Sequence, residues 1–155
     1  MAVTIPWITP GDVKSYSSDV AIIGKKGTKK DSSGNDTTVT IIPERSDAKI
    51  AVDITRARAM IIKYCHHDFS DTEKYPELPE NVRVATILLA EAIAHNDYVS
   101  TVAYSNYKSE SMDDYSYTAG DATTVSISGL GLGSLLDEYV ISQAKGGVLL
   151  RMRRL

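Results

Sequence analysis

The chain has 155 residues, the size of one domain, with 43% apolar and 24% charged residues, ordinary proportions for a globular protein. A formal net charge of −3 sets it apart from basic nucleic-acid binders as a whole, and the lone Cys65 excludes an internal disulfide and suits a reducing cytoplasm. No apolar run reaches the length of a membrane span, and the opening MAVTIPWITPGD lacks the basic start and long apolar region of a signal peptide, so the reading is of a protein made in the cytosol with no membrane partner.

Thr9 is a capping residue, Pro10 suits the first helical position, and Asp12 lies near the positive end of the helix dipole, so one or two turns of helix are predicted there. Two short β-branched runs follow, VAII at Val20–Ile23 and TTVTII at Thr37–Ile42. Between them lies the polar stretch GKKGTKKDSSGN, from Gly24 to Asn35. The pattern predicts a hairpin whose long tip carries Lys25, Lys26, Lys29 and Lys30. Such a tip is either a solvated loop or a contact for DNA or an acidic neighbour.

The first strong helix begins after Ser46, a good N-cap, and ends near Cys65. Ile50, Ile54, Ala57, Ile61 and Tyr64 form one apolar stripe, with Lys49, Asp53, Arg56 and Arg58 off it. The next stretch, HHDFSDTEKYPELPE, is irregular, since Pro76 and Pro79 forbid a regular helix through it. Adjacent His66 and His67 do not share a helix face, and no second cluster at ligand spacing supports them as a metal site. Cys65 reads as a small buried thiol.

A second strong helix is predicted from Pro79 or Glu80 to about Ala103. From Val82 to Ala94 its apolar residues, Ile87 and Leu88 among them, cover nearly every direction. Such a helix is either the centre of a bundle or has a face covered by another subunit. Beyond it lies YKSESMDDYSYT, too polar for a core and too rich in tyrosine for a typical linker; the whole chain holds nine Tyr against one Trp and one Phe. Tyrosine suits surfaces that a partner buries but water also reaches, or the rim of a core. Thr123 to Ser128 alternate weakly as a short strand. A short helix is predicted over 134–145, with Ser134 as cap and Gly146 past its end, and an apolar, arginine-bearing tail closes the sequence. No glycine-rich phosphate loop, nucleophile elbow or paired-histidine zinc motif occurs in the sequence, so neither catalysis nor a cofactor is expected.

The ordered set of ITPGDVKSY, SDAKIAVDITRARAMIIKYCHHDFSD, YPELPENVRVATILLAEAIAHN and YKSESMDDYSYT resembles the head–tail connector proteins of long-tailed bacteriophages, also called adaptor or head completion proteins. The last piece resembles a K-S-E-x-x-x-D-Y-S signature that follows the second long helix in that family. The lysine-bearing stretch is longer than the family minimum. The resemblance implies a mainly α fold: a small helical bundle on two long antiparallel helices, with a short β-hairpin or loop insertion and an extended C-terminal tail. It implies a single connector domain over 1–155. Its helical core spans about 8–106 with an insertion at about 20–42, then come an arm at 107–128, a short helix at 134–145 and a docking tail at 146–155.

The implied role is that of a virion structural protein at the head–tail junction. The family forms a ring, taken as a dodecamer, beneath the portal protein. The ring extends the channel for double-stranded DNA, without sequence-specific binding, and carries the stopper or tail-completion protein. The implied portal-docking tail is Val148, Leu149, Leu150, Arg151, Met152, Arg153, Arg154 and Leu155. Subunit-interface candidates are Lys108, Glu110, Asp114, Tyr115 and Tyr117 in the arm, with Ile87 and Leu88 on the apolar helix. The competing reading is a small nucleic-acid-binding regulator that uses the Lys25–Lys30 loop and the arginine-rich C-terminus.

Overall fold

A computed structural model describes residues 7–109 and 125–142, with the backbone alone for 102–109. The fold is mainly α, about 52% helical, with one two-stranded antiparallel sheet among the described residues. Helix α1 spans Pro10–Tyr16 and begins with a reciprocal cap. The Asp12 N–H donates to Thr9 Oγ1, and the Thr9 N–H donates to Asp12 Oδ2 at 2.7 Å. The Thr9 N–H foremost, and the Thr9 hydroxyl that also donates to Asp12 Oδ2, hold the Asp12 carboxyl below its ordinary range. Val13 is the buried residue of this helix, and Lys14 ties it to Glu44 and Asp47 at 2.6 and 2.7 Å.

Val20–Ile23 is not a strand but a short helix, α2. Asp19 explains the difference, because its Oδ1 accepts from the Ala21 N–H at 2.7 Å and starts a helical turn that buries Ile22. Gly24, at φ 71°, turns the chain out of α2. The lysines then lie on a strand rather than in a loop tip: β1 (Lys25–Lys30) pairs with β2 (Asp36–Ile42). The tip is only 31–35. There Asp31 Oδ1 accepts from the Ser33 and Asn35 N–H groups, and Gly34 takes φ 84°. That tight turn sets a register in which Lys26 faces Thr40 and Lys30 faces Asp36.

Helix α3 spans Asp47–Cys65, with Ser46 as its N-cap and His66 in the left-handed region as its C-cap. Ile50, Ile54, Ala57 and Ile61 are buried, as the stripe predicts, whereas its last member, Tyr64, is half-buried and the neighbouring Cys65 is fully buried. Asp53, placed off the stripe, is also buried. Helix α4 runs over Glu80–Ser109, six residues beyond the expected end. It packs against α1, α2 and α3 and against a short helix, α5 (Gly133–Leu136). Val82, Ala85, Leu89, Ala90 and Ala94 are fully enclosed, and buried Thr86 satisfies its hydroxyl on the Val82 carbonyl. The chain itself therefore covers most of this helix between Val82 and Ala94. No helix among the described residues is long and apolar enough to cross a membrane.

Residues 127–132 form turns and 125–126 take no regular structure, so the described part of the expected strand, Val125–Ser128, is not a strand, while Thr123 and Thr124 lie outside the described residues. Helix α5 is followed by a 3₁₀ turn at Asp137–Tyr139, and residues 140–142 take no regular structure, so among the described residues the helix predicted over 134–145 does not continue past Tyr139. The ends of α3 and α4 stop it. The Ile141 N–H donates to the Cys65 carbonyl at 2.9 Å, and Asn81 Nδ2 donates to Glu138 Oε1 at 3.1 Å. The Tyr64 hydroxyl donates to Asp137, a bond that holds the phenol above its ordinary titration range.

Candidate functional site

Three surfaces are built on this frame. The first is a charged groove of about 620 Å³ between the start of α3 and the later part of α4. Arg45 Nε and Nη2 donate to the two Asp53 carboxylate oxygens at 2.7 and 2.9 Å, and Nη2 also reaches Asp97 Oδ2 at 3.0 Å. Burial pushes the Asp53 carboxyl above its ordinary range, and Arg45 opposes that shift. The bonds to Asp53 in turn hold the Arg45 guanidinium more firmly protonated. Each charge is met by an opposite one, so the cluster ties α3 to α4 and to the segment entering α3. Exposed Val52 lies on the groove wall.

The second surface is an apolar groove of about 530 Å³ between α4 and the 125–132 turn. Leu88, Val99 and Leu130 line it, with Val99 and Leu130 respectively 48% and 43% exposed. Its rim is polar: His95 Nδ1 lies 2.9 Å from Asp19 Oδ2, and Glu91 stands beside them. Leu88, an interface candidate from the sequence, is half-buried in this groove, whereas Ile87 is buried within the subunit.

The third surface is the hairpin. Lys25, Lys26, Lys29 and Lys30 are all exposed on β1, as are Val39 and Ile41 on β2. An added Cβ on Gly27 would sit 2.5 Å from Ile41 Cδ1, which places Ile41 over that glycine on one face of the ribbon. Lys26 and Lys30 alternate onto the opposite face with Thr28, Thr38 and Thr40.

Of the remaining interface candidates, Lys108 lies in the last turn of α4. Glu110, Asp114, Tyr115, Tyr117 and the tail Val148–Leu155 lie outside the described residues. Sequence reasoning did not find the Arg45–Asp53–Asp97 cluster or the aromatic knot of Trp7, Phe69, Tyr75 and Tyr139. In that knot Trp7 meets Phe69 edge-on at 5.6 Å, and Phe69 meets Tyr75 at 5.1 Å. His67 belongs to the knot. Its Nε2 lies 2.7 Å from the Tyr139 carbonyl oxygen and must donate there, while Nδ1 accepts from the Phe69 N–H.

Residues 32–153 match a family described as "Protein of unknown function (DUF3199)". The chain belongs to that family. Its matched stretch takes in β2, α3, α4 and the 125–142 module, while α1, α2 and β1 precede it. Comparison with curated proteins and with solved structures gives no match.

Proposed function

We propose that this chain is a head–tail connector: a virion structural protein, not an enzyme, that forms a ring under a portal protein. In this reading the ring extends the DNA channel and carries a stopper or tail-completion protein. The core of each subunit is a bundle of α3 and α4 running antiparallel within one connector domain. The observation that carries the reading is the apolar groove at Leu88, Val99 and Leu130. It is open, rimmed by polar groups, and flanks a helix that the chain otherwise largely buries between Val82 and Ala94. An exposed apolar strip of that kind suits a protein neighbour. The order of sequence segments that resembles the connector family supplies the architecture in which such a neighbour is another subunit.

The test is electron microscopy of the purified protein mixed with its portal protein. Rings seated on the portal are expected. A protein that stays monomeric with portal present overturns the proposal. A free monomer alone does not, because rings of this kind can assemble on docking.

A further inference from the structure

Several cations of the described residues already have work within the subunit. Lys14, Arg45, Arg56 and Arg83 form ion pairs, and Arg58 lies 5.2 Å over the Trp7 ring. The four β1 lysines form none among the described residues. Nor do four exposed acids of the α3–α4 connector: Asp68, Asp71, Glu73 and Glu77. The hairpin from Lys25 to Ile42 carries a net charge of +2, and the connector 66–79 carries −3 with its histidines neutral. These two patches lie at opposite ends of α3, whose 19 residues span about 28 Å. The hairpin packs on itself and makes no extensive contact with the helices, so one subunit cannot bring its own two patches together.

The geometry points to a contact between copies of this chain in which the lysine hairpin of one subunit meets the acidic α3–α4 connector of the next. The two patches differ and are complementary, which is the requirement of a head-to-tail contact that closes into a ring. Opposite fields at the two ends would steer successive subunits into one orientation and suppress the reverse one. A protein partner is favoured over nucleic acid by the other face of the hairpin. Val39 and Ile41 are 40% and 59% exposed there, and Ile23 at the hairpin base is 47% exposed. Apolar contact area of this kind, beside two unpaired strand edges, suits a protein neighbour. Exposed ion pairs are weak singly, so the contact gains from repetition around a ring and weakens as salt rises. This inference deepens the connector reading and rests on it for closure into a ring.

The experiment mixes equal amounts of ¹⁴N- and ¹⁵N-labelled chains at low salt, with portal protein present. A carbodiimide then joins touching amines and carboxylates, and mass spectrometry maps the links. Mixed-isotope links between Lys25–Lys30 and Asp68–Glu77 are expected. Two reversal variants follow, K26E/K30E and E73K/E77K. The second spares Asp68 and Asp71, whose side chains accept turn hydrogen bonds from Ser70, Glu73 and Lys74. Each variant alone should lose these links at least tenfold, and mixing the two should restore them, since each then offers what the other lacks. Absence of the links in the natural chain, or no restoration by two variants that unfold like the natural chain, overturns the contact. So does an E73K/E77K variant that assembles normally while K26E/K30E loses only binding to a duplex DNA oligonucleotide, which assigns the lysines to nucleic acid. Rings on the portal that persist in both variants overturn this contact and leave the connector reading intact. Links without rings overturn the connector reading instead.

Discussion

Cys65 shows how a single side chain reports on its surroundings. Its thiol is fully buried at the end of α3. Burial, with the nearby Asp137 charge, pushes its pKa from an ordinary 9.0 to about 11. The unfolded chain therefore loses this proton first as pH rises. The stability tied to the protonated thiol is complete below pH 9 and is lost as pH climbs through 11, a change of about 2–3 kcal/mol. Other groups titrate in the same range, so the expected observation is a difference: the stability gap between the natural chain and Cys65→Ala in urea unfolding should shrink by that amount from pH 8 to pH 11.5. A gap that does not change with pH contradicts the buried-thiol account. The buried character of Cys65 was legible from its residue type and the lack of any nucleophile motif around it. That of Asp53 was not. Periodicity places an aspartate off the stripe, and what draws it inward is Arg45, in the loop before the helix, which Asp97 on a different helix also binds. Pairing of that kind leaves no mark in the local pattern of either segment.

Elements were most legible where local chemistry and packing agree. Thr9 and Ser46 cap their helices as their residue types imply, and the α3 stripe faces the core. The hairpin region misled because composition spoke for one structure and tertiary contact chose another. VAII is β-branched, yet the Asp19 cap and the burial of Ile22 against α4 favour a helical turn. The lysine run reads as loop, yet the Asp31–Asn35 turn pairs it with a threonine-rich strand. Two glycines set this geometry, and they should respond differently to substitution. At Gly24, φ 71° and ψ −175°, an added Cβ would come within 2.5 Å of the Ile42 carbonyl oxygen and 2.7 Å of the Glu44 nitrogen. Gly34, at φ 84°, faces open space. Gly24→Ala should therefore lower stability by roughly 3 kcal/mol, through a backbone region reserved for glycine plus clashes with main chain that cannot swing aside. Gly34→Ala should cost only about 1 kcal/mol. Urea midpoints of the two variants decide it, and equal costs would show that the Gly24 contact relaxes freely.

At the scale of the whole molecule, the sequence posed two alternatives for the apolar stretch at Val82–Ala94: the centre of a bundle, or a helix with one face left for a neighbour. The fold resolves most of it toward the first, since α1, α2, α3 and α5 surround α4. What remains for a neighbour is the narrower strip at Leu88, Val99 and Leu130, and its last member comes from a turn well beyond the end of the helix in the chain. No helical periodicity could have joined Leu130 to Val99. This division of one helix into an enclosed side and a presented side gives a clean separation of effects. Val99 and Leu130 are nearly half exposed, so replacing both by serine should change subunit stability by no more than about 0.5 kcal/mol per site. If the strip meets a neighbour, the same pair should reduce the fraction of portal particles bearing a ring at least tenfold. Leu89 is the control. It is fully buried on the same helix, and Leu89→Ala should cost about 2–5 kcal/mol and lose assembly only through unfolding. Circular dichroism with urea titration separates the two kinds of loss, and electron micrographs count the rings. A serine pair that folds and assembles like the natural chain removes this groove from the proposed interface and leaves the hairpin and the α3–α4 segment as the proposed contact.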